Sequence, residues 1–373
     1  MSLLVTIKST MSNNIRTDEK VYHQIFINDS HKVSMKVSKC CSMHLMRKFP
    51  FFFYIFPVLF IVISCQEDNI VFYKEYGEVS YGNHLRFNTH KPQLKSFFFF
   101  SGWNDSQDAA IYKNFLLNVR ACDEIDDNVE NAYLWDLNTG IKIATLILGY
   151  SMNGKNYYKP HANTVCFGNE ILDDSPFPLL YVSQTFGLEY GKINSKDSGV
   201  LVYKLVSNDD KYKAELVQVI KPATDDIVLF DLIGCSIHNY VVDYDSSKLY
   251  VLGYDSDNFY NADSKICISS FNLPKSSDGQ EIVLTSHSIV DSYTLPMSYC
   301  MQSVFYDAGF LYIMNGDCFK YKWLRSLNLY KKKIESVFDF TDLSGEPQFC
   351  GYWNGKLLMY FSGSQGLLFE ITD

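Results

Sequence analysis

The sequence is short of proline, of positive charge and of long apolar runs, and each shortage excludes a class of protein. Only 10 of its 373 residues are proline, and no low-complexity linker divides the chain after residue 65. A string of loosely tethered modules is therefore not expected. Beyond residue 65 the chain has 25 basic and 39 acidic residues, a net charge of −14. Because such a surface repels phosphates and anionic headgroups, nucleic acid and charge-driven membrane binding are excluded as partners.

Motifs that mark catalysis or a bound metal are also missing. The chain has no G-x-S-x-G elbow, no H-E-x-x-H, no phosphate-cradling glycine loop and no carboxylate pair in an acid-and-base context. An acidic loop, Asp255–Asp263, begins with the oxygen spacing of a calcium loop but lacks its glycine and its closing glutamate. We expect a solvated loop there, and no metal or cofactor in the protein.

The most informative feature present is an apolar run, Phe49–Ile63, which follows Arg47 and Lys48 and ends at Ser64 and Cys65. A run of about 15 residues with two prolines is short for a membrane-spanning helix and typical of a signal peptide. Val62-Ile63-Ser64 before the cysteine resembles the lipobox of Bacteroidetes-type lipoproteins, although those more often have leucine three residues before it. The resemblance implies a lipid on Cys65 and a place in the bacterial cell envelope, at the outer membrane; a short uncleaved anchor is the alternative.

Residues 1–42 fit no secretory pattern, because a signal peptide does not carry so long a polar lead before its apolar run. We interpret them as an extension upstream of a start codon at Met43 or Met46, outside the fold. The predicted organisation is then a signal peptide over residues 43–65 and one domain over residues 66–373.

That domain shows an internal repeat of two apolar runs joined by a short turn with aspartate or asparagine. Such a unit predicts a β-hairpin, because Asp, Asn and Gly tolerate turn dihedrals while Tyr, Phe and Val favour strands. The copies are Ala110–Leu117, Val165–Glu170 with Leu179–Gln184, Val241–Tyr254, Ser303–Gly316 and Cys350–Gly363. In the second copy an insertion, Ile171–Pro178, widens the turn.

All copies but the last are followed by a predicted third and fourth strand. These segments are Ala132–Leu148, Val200–Ile220, Ile266–Ile289 and Trp323–Phe340. The last copy has only Leu367–Asp373, so an N-terminal strand, Ile70–Tyr76, is expected to complete it. The prediction is an all-β fold, a β-propeller of five four-stranded antiparallel blades closed by that strand, which leaves no long unpaired edge. A six-bladed ring is the alternative, if residues Glu78–Trp103 form an additional blade.

Several short sequence segments resemble a group of uncharacterised secreted Bacteroides-type propellers, which are TolB-like or YVTN-like. The resemblance rests on HANTVCFG from His161, SPFPLLYVSQ from Ser175, GVLVYKL from Gly199 and ELVQVI from Glu215. It implies the propeller fold over most of residues 66–373 and no particular activity.

Polar residues recur where the innermost strand of each blade begins. In a propeller these starts surround one mouth of the central channel, so they converge there and could hydrogen-bond a polar ligand. The candidate ligand-binding residues are Asp108, His161, Asn163, His238, Asn239, Gln302 and Gln348. The alternative is that they bind only water and one another. His161 and His238 are poor candidates for metal ligands on this pattern, because a metal site needs a third ligand and Asp108 is the only obvious candidate.

Seven cysteines follow Cys65, an odd number that cannot all pair, and none forms a C-x-x-C. Four of them, at Cys166, Cys235, Cys300 and Cys350, fall near the first strand of successive blades, so we expect small buried thiols close to the channel.

The sequence thus favours a lipid-anchored envelope propeller that binds a polar small molecule, a glycan, a peptide or an envelope protein. One rival is a hydrolase or lyase with His161 or His238 as general base. The other is a scaffold that holds a partner with its wide loops, residues 172–178 and 254–264.

Overall fold

A computed structural model describes residues 3–8, 22–27, 33–35, 93–100, 106–120, 130–157, 161–184, 198–208, 211–255, 264–296, 300–316, 322–364 and 366–372. The chain divides into two compact units, residues 1–66 and 67–373. The first contains a three-stranded antiparallel sheet of β1 (Leu3–Lys8), β2 (Tyr22–Ile27) and β3 (Val33–Met35). The signal predicted over residues 43–65 lies outside the described residues. Among those described, no helix is both long and apolar enough to cross a bilayer.

The second unit is a five-bladed β-propeller, as predicted. Its first strand among the described residues is β4 (Gln93–Phe99). Blade I contains β5 (Ser106–Tyr112), β6 (Phe115–Arg120), β7 (Ala132–Asp136) and β8 (Ile141–Leu146), and a small hairpin of β9 (Ser151–Met152) and β10 (Lys155–Asn156) follows. Blade II contains β11 (Val165–Phe167), β12 (Leu180–Gln184), β13 (Gly199–Asn208) and β14 (Lys211–Pro222). A short helix, α1 (Ile227–Ile233), leads to the next blade.

Blade III contains β15 (Ser236–Asp243), β16 (Lys248–Tyr254), β17 (Lys265–Asn272) and β19 (Ile289–Pro296). Between the last two lie a 3-10 turn (Ser276–Asp278), β18 (Glu281–Leu284) and a second 3-10 turn (Ser286–Ser288). Blade IV contains β20 (Met301–Asp307), β21 (Phe310–Gly316), β22 (Lys322–Asn328) and β23 (Lys333–Asp339). Blade V contains β24 (Pro347–Trp353), β25 (Lys356–Phe361) and β26 (Leu367–Thr372), and β4 completes it.

The predicted hairpins are confirmed, and their turns show why the sequence folds there. Ala308 and Gly309 both have positive φ, as do Asn354 and Gly355, which is the backbone of a tight two-residue hairpin turn. In the turn between β7 and β8, Asp136 accepts hydrogen bonds from the Asn138 amide at 2.8 Å and the Thr139 hydroxyl at 3.1 Å. These local bonds fix the turn and with it the pairing of β7 with β8.

The core lies between the faces of adjacent blades. Its largest side chains include Tyr181, Tyr203 and Tyr240, which have no exposed surface. The insertion in blade II also packs inward, because Phe177 is buried and stacks on Phe167 with ring centroids 5.9 Å apart. Of the wide loops considered for partner binding, this one is therefore anchored against the blades, and residues 256–263 of the other lie outside the described residues.

The strand that closes the ring differs from the one expected. β4, which includes Phe97–Phe99, pairs antiparallel with β26, with Leu367 opposite Phe99 and Thr372 opposite Gln93. The prediction that Ile70–Tyr76 takes this place is wrong, and that segment lies outside the described residues. The Phe97 run thus completes blade V and does not form a sixth blade. The clasp between an N-terminal strand and the last blade is confirmed.

The segment between the third and fourth strands of blade III also differs from expectation. The sequence pattern placed Glu281–Leu284 within the fourth strand of its own blade. Instead β18 pairs in parallel with β14, adding a fifth strand to blade II, while β19 supplies the fourth strand of blade III. Glu281 is held there by Lys155, Lys221 and the hydroxyl of Tyr157.

The cysteines follow the expectation in part. Cys166, Cys300 and Cys350 are buried at or just before inner strands, but Cys235 is exposed. Cys267 is also buried, in β17, the third strand of blade III. Cys235 lies one residue before β15, where the chain enters blade III, and it is exposed to solvent. Cys122 and Cys318 lie outside the described residues.

Candidate functional site

The five inner strands β5, β11, β15, β20 and β24 stand around the channel and run in the same direction. We call the side where they begin the start mouth and the side where they end the end mouth. Each inner strand packs against the inner strands of the blades on either side of it. Any residue near the same end of these strands therefore lies at the same mouth, however far apart the residues are in sequence.

At the start mouth, the polar pattern found in the sequence coincides with a backbone irregularity. In four inner strands the pairing register skips one residue: Gln107, His238, Gln302 and Gln348. In blade II the equivalent residue is Asn163, because Ser183 bonds to the backbone of both Ala162 and Thr164. A β-bulge leaves its extra residue out of the ladder and bends the strand. The repeated polar residue is thus the bulged residue of each inner strand.

Asp108, one residue after the first bulge, is buried and joins three blades by hydrogen bonds. Its carboxylate accepts hydrogen bonds from the Val165 amide at 2.7 Å and from the Ser303 hydroxyl at 2.9 Å. Because blades I and IV are not neighbours in the ring, the second bond crosses the channel. Burial raises the pKa of Asp108 well above its usual value, although these bonds oppose the rise.

The other start-mouth candidates bond chiefly to protein groups. The Asn239 amide donates to the Asn163 carbonyl at 3.3 Å, and the Gln348 amide donates to Glu346 at 2.8 Å. Gln302 donates to Glu346 as well, and to the Gly316 carbonyl at 3.2 Å. Glu346, which precedes β24, is the partner that sequence reasoning missed.

The two histidines give no positive sign of a site. Desolvation lowers the pKa of His161 to about 4, so the imidazole is neutral at pH 7 even though part of the side chain stays exposed. The side chain of His238 lies outside those described. Within the described residues, no group of three His, Cys, Asp or Glu side chains could hold a metal ion. A ligand-binding role for the start-mouth residues stays a prediction.

At the end mouth lies a cavity of about 330 Å³ to which all five blades contribute. Its volume is at the lower end of the range for small-molecule sites. The wall is largely aromatic and includes Tyr112, Phe167, Tyr244, Tyr306, Phe349 and Tyr352. Toward the channel interior the cavity is lined by Cys166 and Cys350. Burial raises the pKa of Cys166 to about 12 and holds the pKa of Cys350 well above its usual value, with the charge of Asp108 adding to both, so the thiols stay protonated.

Tyrosine and aspartate side chains at this mouth join blades III and IV by reciprocal hydrogen bonds. The Tyr244 hydroxyl donates to Oδ1 of Asp307 at 3.0 Å, and the Tyr306 hydroxyl donates to Oδ2 of Asp245 at 2.7 Å. The two rings meet edge to face, with centroids 5.0 Å apart. The exchange fixes the orientation of both rings and of the Asp307 carboxylate, so this part of the wall is preorganised.

Asp307 has the most unusual surroundings of any cavity-lining side chain. Its Oδ2 is buried and has no hydrogen-bond partner among the described residues. Burial raises its pKa to about 7. The sequence reading treated Asp307 only as a turn residue, but the doublets Tyr244-Asp245 and Tyr306-Asp307 occur in neighbouring copies of the repeat and could have marked it.

One cation stands at the rim of the cavity. The Lys113 ammonium lies over the Tyr112 ring, 5.0 Å from its centroid, and the described residues give it no salt bridge to Asp307. The mouth therefore has a carboxylate on one side and a ring already in contact with a cation on another.

Comparison with known proteins supplies no activity. No protein-family model and no curated protein matches the chain. Among solved structures, the chain is similar to a glutaminyl cyclase of Myxococcus xanthus at 9% identity, over 75% of this chain and 95% of that one, with a TM-score of 0.40. It is similar to a glucose dehydrogenase at 12% identity, over 76% of this chain and 100% of that one, with a TM-score of 0.40. At such values the likeness carries no argument.

Proposed function

We propose that the protein is a binding propeller that takes a small ligand in the cavity at its end mouth. The observation that carries this proposal is the cavity itself, which combines aromatic side chains from several blades with a carboxylate fixed by Tyr244. Concave, mostly apolar sites with a few oriented polar groups are the usual form of a small-molecule site. A cavity shared by five blades also needs the closed ring, which gives the fold a direct role in binding.

Binding is favoured over catalysis by the chemistry of the wall. Asp307 is the one carboxylate among the cavity-lining residues of the described chain, whereas glycoside hydrolysis usually uses a pair. The two cysteine thiols are protonated and therefore poor nucleophiles. His161, one of the two general bases of the rival enzyme hypothesis, is not among the described residues that line this cavity. The side chain of His238, the other, lies outside those described.

A ligand site at the start mouth is the second candidate, favoured by one specific observation. Asn163 Oδ1, Asn239 Oδ1 and Gln348 Oε1 are buried acceptors without hydrogen-bond partners among the described residues. Buried polar atoms are normally paired, so a ligand with hydrogen-bond donors would supply the partners that these three acceptors lack. A polar small molecule, a glycan or a peptide that reached them would displace bonds that the residues now make to one another.

Paired variants decide between the two mouths. We would screen small amines, sugars and peptides against the purified protein by thermal shift, and measure every hit by calorimetry. Tyr352→Ala removes a ring from the cavity, and Tyr330→Ala removes a ring that is 95% exposed, as the matched control. The proposal expects Tyr352→Ala to weaken binding at least tenfold and Tyr330→Ala to leave it unchanged. Equal binding by all three proteins would contradict it.

The proposed place of work is the bacterial cell envelope, with the propeller held by a lipid on Cys65. Support comes from the basic start, the apolar run and the Ser64-Cys65 junction. In a detergent phase-separation assay we expect wild type in the detergent phase and Cys65→Ala in the aqueous phase. Ser64→Ala keeps a small residue before the cysteine and serves as the control. A Cys65→Ala protein that still took up a labelled fatty acid would refute the anchor.

A further inference from the structure

The carboxylate of Asp307 is incompletely compensated. One oxygen accepts a bond from Tyr244, and the other is buried with no partner among the described residues. A buried charge without a partner is costly, and the cost is removed by a proton or by a cation. The elevated pKa of about 7 is consistent with that balance. A cation that entered the cavity would take the place of the proton.

The rest of the wall suits a cation with an apolar shell better than a sugar. Besides its rings, the cavity is lined by Ala109, Ala110, Ile111, Val165 and Val242, which offer no side-chain hydrogen bonds. The hydroxyls of Tyr244 and Tyr306 already donate to aspartates. A sugar would bring many hydroxyl groups into a site with few partners for them, and each unpaired group has a desolvation cost.

The aromatic side chains add a second attraction for positive charge. Ring faces carry negative potential and attract ammonium groups within about 6 Å of their centroids. The Lys113 ammonium already takes that position over Tyr112 at the rim. Asp245 accepts a bond from Tyr306. Asp243 caps its own turn, with Lys248 opposite it in the strand pairing. Among the described residues that line the cavity, Asp307 is the one carboxylate and Lys113 the one lysine. The attraction for a cation therefore comes from Asp307 and the ring faces and not from a net negative charge of the mouth.

We propose that the end-mouth cavity binds a small alkylated ammonium ion, with the charge facing Asp307 and the alkyl groups packed against the surrounding rings. This inference rests on the proposed function, since it names the ligand class of the same cavity. The occupant is an organic cation small enough for about 330 Å³. It is recognised by charge and ring contact more than by hydrogen bonds.

The test compares choline with 3,3-dimethyl-1-butanol, which has the same shape and no charge. At pH 8 we expect calorimetry to show choline binding at least tenfold more tightly to the wild-type protein. Asp307→Asn keeps the shape of the side chain and should reduce that preference several-fold, to what the ring faces alone provide. Because Asp307 must lose its proton, choline affinity should rise about tenfold from pH 6 to pH 8 in wild type and stay flat in the variant.

The outcomes separate the ligand class from the site. Equal affinity for choline and the alcohol, both lost in Tyr352→Ala, would overturn the cation class and keep the cavity as a binding site. Choline binding that persists in Tyr352→Ala would overturn the site and the proposed function with it. No choline binding at millimolar concentrations, with a neutral hit that needs Tyr352, would again reject only the cation class.

Discussion

The two mouths of the channel have similar positions in the fold and opposite chemistry. At the start mouth, polar side chains are numerous, but they are bulged, buried and bonded to one another, as Asn163 and Asn239 show. At the end mouth, polar groups are few, but Asp307 has an oxygen without a partner among the described residues and faces a cavity lined by rings. Unpaired acceptors also occur at the start mouth, on Asn163, Asn239 and Gln348. What distinguishes the end mouth is the cavity beside its unpaired oxygen, so a ligand-sized space is a better guide to a site than the number of polar residues.

Asp108, which is buried, and Asp307, which is half-buried, should show the largest difference between the mouths. Asp108→Ala removes the acceptor of both Val165 N–H and Ser303 Oγ, and should lower the free energy of unfolding by about 3 kcal/mol. Urea denaturation of the variant checks this value. Asp108→Asn keeps the shape and one acceptor and should cost less. Equal stability of wild type and Asp108→Ala would show that the bond across the channel does not help to hold the ring.

Asp307 should behave in the opposite way, with a smaller effect that depends on pH. Its pKa is about 7 in the folded protein and about 4 in an unfolded chain, so ionisation destabilises the fold increasingly as pH rises from 4 to 7. Asp307→Asn removes that cost and should stabilise the protein by about 1 kcal/mol at pH 8.

The same substitution provides its own control at low pH. At pH 4 the folded wild-type protein keeps Asp307 protonated, so the variant should have nearly the same Tm there. Thermal unfolding at the two pH values gives the comparison. A variant that is destabilised at pH 8 would mean that the Asp307 carboxylate already has a favourable partner.

The smallest effect on ligand binding is expected from His161 and Asn163, two of the ligand-binding residues that the sequence predicted. The double variant His161→Ala/Asn163→Ala alters the start mouth, so choline binding at the end mouth should change less than twofold by calorimetry. If the pair of substitutions abolished binding and Tyr352→Ala did not, the ligand site would belong to the start mouth, as the sequence pattern predicted.

The fold could be predicted because the information is local. Each hairpin turn is marked by its own residues, for example Asn354-Gly355, and each turn fixes one pairing. The information that decides which strand closes the ring is not local. Ile70–Tyr76 and Gln93–Phe99 both read as apolar strands, and the choice between them depends on contacts with β26, far along the chain. The parallel pairing of β18 with β14 was missed for the same reason, because an apolar pattern predicts a strand but not the strand with which it pairs.

The candidate residues were predicted in position but not in surroundings. The recurrence of Gln107, His238, Gln302 and Gln348 located the strand starts correctly, yet sequence cannot show that each is a bulge. Asp307 was hidden by the opposite effect. An aspartate beside a hairpin turn is ordinary, and its burial against the neighbouring blade becomes visible only when blades III and IV are placed side by side.

The exchange of β18 joins the unfolding of two blades. By sequence β18 lies between β17 and β19 of blade III, but its backbone hydrogen bonds are made to β14 of blade II. Blade III cannot come apart without pulling on the outer edge of blade II, and blade II cannot release that edge without freeing a loop of blade III. Amide hydrogens in these two blades are therefore expected to exchange with solvent as one cooperative unit, distinct from blades IV and V.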